Sequence, residues 1–174
     1  MSSSPAQQLT ISSMTAGDWP EVVRIYEAGI AGGNATFEPE APQLETWRSS
    51  HIDDPCLVAR DPSGKVLGWA ALGPISPRPV YRGVAEVSIY VDPQHARRGV
   101  GRALLQALVD ASEHAGFWTL VAGIFPENKA SIALHVACGF EHVGERKRVG
   151  QMPGGGPWRD VVFYERRSAV VGFD

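Results

Sequence analysis

Two places in this sequence have residue types and spacing that could do chemistry together. Glu86 stands in an otherwise largely apolar run, Val84–Val91, where a carboxylate costs free energy unless a partner or a task accounts for it. Shortly afterwards, Arg97-Arg98-Gly99-Val100-Gly101-Arg102 gathers backbone N–H groups and cations into one turn. A positioned carboxylate can accept a proton as a general base. A turn whose free amides open a helix suits phosphate oxygens. Each place also has a plainer reading. Glu86 can be a solvent-facing strand residue or the ion-pair partner of Arg82, and the turn can be a strand-to-helix connection with solvated arginines. Two nucleotide motifs fail here. A Walker A loop, G-x-x-x-x-G-K-S/T, needs a lysine after Gly101, and the Rossmann turn G-x-G-x-x-G needs glycine where Leu104 stands.

The elements that must hold these groups are a strand and a helix. Ala85, Val87, Ile89 and Val91 alternate with Val84, Glu86, Ser88 and Tyr90, the period of a pleated strand. Asp92-Pro93 stops it. Val100, Leu104, Leu108 and Ala111 then recur at helical spacing.

Around this unit the chain reads in order. Residues 1–6 are small and polar, a flexible tail, and Gln7–Met14 is a weak edge strand. Asp18 and Glu21 form a capping box for a helix carrying Trp19, Val22, Tyr26 and Ile30 to about residue 31. Gly32-Gly33-Asn34 ends it, Ala35–Ala41 is loop, and Pro42 begins a second helix through Ile52. Cys56–Asp61 and Val66–Leu72 are strands joined at a Pro-Ser-Gly turn. Gly73–Gly83 is a proline-rich loop. After the central unit come an apolar strand, Phe117–Phe125, and a helix capped by Asn128 that carries Ile132 and Val136 and stops at Gly139. Two strands, Phe140–Arg148 and Trp158–Arg166, close the chain around the glycine-rich turn Met152–Pro157. The order β-α-α-β-β-β-α-β-α-β-β predicts an α/β fold on a mixed sheet, one domain over residues 7–168, with 169–174 a second flexible tail.

Composition narrows the function classes. The 174 residues carry a net charge of −3, which gives no basis for a nucleic-acid surface. No apolar run approaches a membrane span, and the N-terminus lacks the basic and apolar regions of a secretory signal. Cys56 and Cys138 form no framework and fit reduced thiols in a cytoplasmic protein. The five histidines show no metal-site spacing, so no metal is expected.

The stretch after the central strand resembles the pyrophosphate loop of the GCN5-related N-acetyltransferases (GNAT), Q/R-x-x-G-x-G/A, with Ala96 at its first position. Asn128-Lys-Ala-Ser131 followed by Leu134-His135 and Gly139-Phe140 is similar to that family's second cofactor motif. Asn34-Ala-Thr-Phe37, Tyr81-Arg-Gly-Val-Ala-Glu-Val-Ser-Ile-Tyr90, Ala122-Gly-Ile-Phe-Pro-Glu-Asn128 and Trp158-Arg-Asp160 resemble the phosphinothricin, methionine sulfoximine and arsinothricin N-acetyltransferases. The resemblance spans about residues 8–168. It implies the GNAT fold, acetyl-CoA as cofactor, a small acidic amino acid as acceptor, a role in antibiotic or herbicide resistance, and a homodimer.

The resemblance also implies roles. Glu86 would be the base, with Val87 where many relatives carry His. Ile89, Tyr90 and Val91 would offer backbone N–H groups to the thioester, along a splay against Ala122–Ile124. Arg97, Arg98, Gly99, Val100, Gly101 and Arg102 would hold the pyrophosphate, with Asn128 and Ser131 nearby. His135 stands where many acetyltransferases have an acidic Tyr, and reads as a weak acid, a cofactor contact or a satisfied helix residue. Arg78, Tyr81 and Arg82 would meet the acceptor's acid groups, and Asn34, Thr36 and Phe37 would close its pocket. The same fold acting on protein N-termini or lysines, or as a silent CoA-binding module, are the alternatives.

Overall fold

A computed structural model describes residues 8–173 of the chain. Seven strands are joined in one sheet: β1 (Thr10–Ser13), β2 (Cys56–Arg60), β3 (Val66–Pro74), β4 (Val84–Val91), β5 (Thr119–Ile124), β6 (Glu141–Gln151) and β7 (Trp158–Arg167). Their order across the sheet is β1-β2-β3-β4-β5-β7-β6. All neighbours are antiparallel except β4 and β5, which run parallel. Four helices, α1 (Trp19–Ala31), α2 (Leu44–Ser50), α3 (Val100–His114) and α4 (Lys129–Ala137), connect them in the chain order read from sequence. A parallel pair needs a crossover, and α3 is that crossover.

Both faces of the central strands are covered, which is why β2 and β3 are nearly unbroken apolar runs. On one face α3 presses Val100, Leu104, Leu105 and Leu108 against Leu57, Leu67, Leu72 and Ala85. On the other, Val22, Ile25 and Tyr26 of α1 and Trp47 of α2 meet Val58, Trp69 and Ala71. Burying one such Leu side chain is worth ~1.5–3 kcal/mol, and Ala85 ties β4 into the first of these layers.

Several local expectations need correction. The capping box lies one turn earlier than Asp18 and Glu21. Asp18 turns its carboxylate back to accept from Thr15 N at 2.8 Å and Thr15 Oγ1 at 3.0 Å, and Arg60 donates to it at 2.8 Å. A buried carboxylate needs those donors more than the helix needs a cap. In α4 the buried residue is His135, and Val136 faces outward. The proline-rich loop contains a 3₁₀ turn at Pro79–Tyr81. At the C-terminal end Arg167 donates to the carbonyls of Ser168, Val171 and Gly172, and its guanidinium lies over Phe173. Residues 1–6, the other expected tail, lie outside the described residues.

The C-terminal hairpin covers most of its own apolar residues. Val161 and Val162 are buried within the chain itself, Phe163 is partly covered, and Trp158 remains half exposed.

Candidate active site

The site begins where β4 and β5 part. They pair across Val84↔Thr119, Ala85↔Leu120 and Glu86↔Val121, and no further, although β4 continues to Val91 and β5 to Ile124. Beyond Glu86 the two strands form a wedge-shaped gap. The backbone groups that face it follow from the β3–β4 ladder. Asp92 N donates to Leu67 O at 2.8 Å, and the register from there to Ala85 never shifts. Alternation in an antiparallel pair then turns the N–H and C=O of Tyr90 and Ser88 toward β3, and those of Ile89 and Val91 toward the gap. Of the three residues expected to offer N–H groups to a thioester, Ile89 and Val91 are so placed. Tyr90 is not: its ring stacks on Trp69 at 4.8 Å and packs on Tyr26 at 4.7 Å, and burial pushes its phenol pKa up.

A cavity of about 530 Å³ occupies the gap. It reaches both sides of the sheet, since Ser131 and His135 line it along with Tyr26, Thr36, Phe37 and Glu38. Glu86 lies on its wall. The side chain opens onto the cavity, and the surrounding protein withdraws enough water from the carboxyl to push its pKa up. Among the described residues no cation pairs with it, so the reading of Glu86 as the ion-pair partner of Arg82 is set aside. A carboxylate with a raised pKa and a free lone pair is equipped to accept a proton.

His135 is buried at 3% exposure, and its Nδ1 lies 2.8 Å from Ser131 O. A carbonyl only accepts, so Nδ1 carries the hydrogen and Nε2 of the neutral ring is a bare lone pair without a partner among the described residues. Burial lowers the ring's pKa, against a smaller opposite pull from the Ser131 carbonyl. The neutral ring can therefore accept a hydrogen bond from a ligand at Nε2, but has no proton there to give. Asn128 spends both ends of its amide internally: Oδ1 accepts from Ser131 N at 3.1 Å, and Nδ2 donates to Asn34 O at 3.0 Å.

The arginine-glycine turn fits the phosphate reading. Gly99 is the N-cap of α3 with φ +82°, and Arg97 also adopts a positive φ of 60°. Among the described residues, none of the amides from Arg97 to Arg102 has a backbone acceptor. Arg97, Arg98 and Arg102 are exposed beside them, and among the described residues none of the three is in an ion pair. Val100 contributes only its N–H, because its side chain is buried in the core. Asp92 fixes the start of the turn. Burial works to raise its pKa, but the Gln94 amide at 3.0 Å and Arg24 at 2.9 Å overcome that and hold the carboxylate below its usual range. Free amides at one end of α3 and a through-sheet cavity with outward N–H groups at the end of β4 fit acetyl-CoA.

The expected acceptor contacts divide. Thr36 and Phe37 line the cavity, whereas Asn34 does not; its side chain is taken up by Arg159 at 2.6 Å. Arg78, Tyr81 and Arg82 stand exposed on the loop that leads into β4, outside the cavity wall, with Arg78 lying over the Tyr81 ring at 5.7 Å. Among the described residues no arginine or lysine lines the cavity. Tyr26, Glu38 and Ser88 line it without having been singled out in the sequence. Tyr26 had looked like part of an apolar helix stripe, and Glu38 carried no signal at all. Ser88 shares the Glu86 face of β4, which was the available clue.

Comparisons with known proteins agree with this geometry. The profile of the Acetyltransferase (GNAT) family matches residues 19–140. The L-methionine sulfoximine/L-methionine sulfone acetyltransferase of Pseudomonas aeruginosa is 34% identical over 161 residues, covering 90% of this chain and 92% of that protein. The phosphinothricin N-acetyltransferase of Alcaligenes faecalis is 34% identical over 163 residues, covering 90% and 81%. The crystal structure of a phosphinothricin acetyltransferase from Sinorhizobium meliloti in complex with AcCoA superposes with a TM-score of 0.79 at 33% identity, covering 91% of this chain and 88% of that one. With its parallel-strand gap, its amide-lined turn and this degree of likeness, the chain belongs to the GNAT family of acetyltransferases.

Proposed function

We propose that this enzyme moves the acetyl group of acetyl-CoA to the α-amine of a small amino acid of the phosphinothricin, methionine sulfoximine or arsinothricin kind, as a resistance activity in the cytoplasm. The observation that carries the reading is Glu86: an unpaired carboxylate of raised pKa on the wall of the cavity, at the point where the strands open. Relatives named for phosphinothricin and methionine sulfoximine acetylation support the acceptor class.

Acetyl-CoA supplies the acyl group as a thioester. Arg97–Arg102 offer amides and cations to its pyrophosphate. The N–H groups of Ile89 and Val91 face the gap, where fixed backbone donors stabilise charge developing on an acyl oxygen. Glu86 draws the proton from the acceptor amine, directly or through a water, so that the amine is neutral when it attacks. No side-chain acid is needed for the departing sulfur, because a thiol of pKa near ~8.5 regains its proton from water. Arg82, at the end of β4 nearest Glu86, is the cation proposed for the acceptor's acid group, reached from the rim. Val143, Val149 and Trp158, exposed on the C-terminal hairpin, support a homodimer.

One observation favours a second reading. Apart from histidines, the ionisable groups lining the cavity are Glu38, Glu86 and the phenols of Tyr26 and Tyr90. That lining suits an acceptor without an acid group, such as a peptide N-terminus. Thiol release from acetyl-CoA, measured across small amino acids, polyamines and peptides, separates the two. Turnover restricted to small amino acids supports the first reading, and turnover restricted to peptides overturns it.

A further inference from the structure

The sequence motifs at Asn34–Phe37, Ala122–Asn128 and Trp158–Asp160 are far apart in the chain, and the chemistry above leaves the third without a task. The structure brings them together on one side chain. Arg159, opposite Gly150 in the β6–β7 ladder, is largely buried. Its Nη1 donates to Gly33 O at 2.7 Å. Its Nη2 donates to Asn34 Oδ1 at 2.6 Å and to Glu127 Oε2 at 2.8 Å. The guanidinium lies flat over Phe125, 3.8 Å from the ring centroid. A planar fork with a polar edge and an apolar face is what lets one residue satisfy all four, and lysine has neither.

These contacts lie behind the cavity wall. Phe125 meets Phe37 edge to face at 4.8 Å, and Phe37 sits on Gly150, where any Cβ would come within 2.5 Å of its ring. Phe37, Phe125, Asn128 and Gly150 all line the cavity, and Arg159 does not. Asn128 completes the link by donating to Asn34 O.

We infer that Arg159 is a positioning residue for acceptor recognition, a latch that fixes the 33–37 loop against β5 and β7 and so sets the shape of the acceptor side of the cavity. The inference rests on the reading of that cavity as the acceptor site. It assigns Asn34 to the latch rather than to the substrate. The loop's remaining internal bonds are local, such as Glu38 N to Thr36 Oγ1 at 3.0 Å, so little else ties its Asn34 end to the sheet.

The test compares wild type, Arg159→Ala, Arg159→Lys and Asn34→Ala, with saturation by acceptor and by acetyl-CoA measured separately and melting temperature recorded. The acceptor is whichever small amino acid the wild-type enzyme turns over; if it turns over none, the functional reading fails before the latch is tested. Arg159→Ala should raise the acceptor KM by about 10–100-fold, the scale of a misplaced binding wall, while the acetyl-CoA KM stays within about twofold. Arg159→Lys should recover little of this, since it keeps the charge facing Glu127 and loses the fork. The double variant Arg159→Ala/Asn34→Ala should be no worse than Arg159→Ala alone. If Arg159→Ala does not fold, Asn34→Ala must still raise the acceptor KM selectively. An unchanged acceptor KM in the folded variants, equal rises in both KM values, or full rescue by Lys would overturn the inference.

Discussion

Glu86 and Val121 are the last residues at which β4 and β5 remain paired, and the cavity opens immediately beyond them. The carboxylate thus stands at the apex of the wedge, and the N–H groups of Ile89 and Val91 face the gap further along the same strand. One parallel pair that fails to zip supplies a carboxylate on the cavity wall, backbone donors facing the gap and the space beside them.

The turn at Arg97–Arg102 gives a charge test in which backbone strain is matched between two variants. Gly99 has φ +82° and open space around it, so a side chain there meets no atom but strains the backbone. Asn tolerates that conformation better than most residues, and Asp differs from it only in charge. Gly99→Asn should therefore lose little acetyl-CoA affinity. Gly99→Asp should raise the acetyl-CoA KM by about tenfold or more beyond it, equivalent to ~1.4 kcal/mol of repulsion. Equal values for the two variants would remove the pyrophosphate from this turn. Gly101 is the poorer choice, because a Cβ there would come within 3.2 Å of Leu134.

His135 should behave as an acceptor, not an acid. His135→Phe should raise the acetyl-CoA KM more than it lowers turnover, and should leave the pH profile of turnover in shape. Its linkage to stability has a definite sign. Burial depresses the ring's pKa in the fold, so the unfolded chain binds the proton more readily than the native one. Wild-type melting temperature should fall as pH drops below about 6.5, the unfolded value, and His135→Phe should lose that part of the slope. Melting curves across pH 5–8 (roughly the range in which His titrates) check it.

The pattern of strands and helices was legible because apolar periodicity and Gly/Pro punctuation mark each element. Glu86 and the turn were legible for a related reason: a carboxylate in a strand and glycines among arginines are local anomalies. The acceptor pocket was not. Whether Arg82 or Glu38 faces the cavity depends on how loops before β4 and after α1 fold over the sheet, and neither loop has a periodicity to read. The resemblance at Asn34–Phe37 points Asn34 at the pocket, while its hydrogen-bond partner Arg159 lies far along the chain, beyond any sequence spacing. Asp18 misled for the same reason, since Arg60 outbids the helix end.

The oligomeric state is open to direct measurement. Val143, Val149 and Trp158 leave apolar area on the C-terminal hairpin, and light scattering at micromolar concentration should return the mass of a dimer. Trp158→Glu, at a half-exposed position, should shift that mass toward the monomer without unfolding the chain. A monomeric wild type removes the homodimer.

Arg82→Ala should raise the KM for acceptors bearing an acid group by about 10-fold, within the range of a charged hydrogen bond, and leave acetyl-CoA binding unchanged. Acceptors lacking that group should not notice the change. A uniform effect on all acceptors would place Arg82 outside recognition.

Turnover of Glu86→Gln as a function of pH tests the central claim most directly. The substitution keeps size and hydrogen-bonding reach and removes basicity. Burial disfavours the ionised form in the fold, so near neutral pH the amide should be no less stable than the carboxylate, and the melting temperature should not fall. Turnover at pH 7 should drop by about 10²–10⁴-fold with acetyl-CoA affinity unchanged, and should recover in part as pH rises and the acceptor amine loses its proton unaided. A folded Glu86→Gln enzyme with near wild-type turnover at pH 7 would contradict the account.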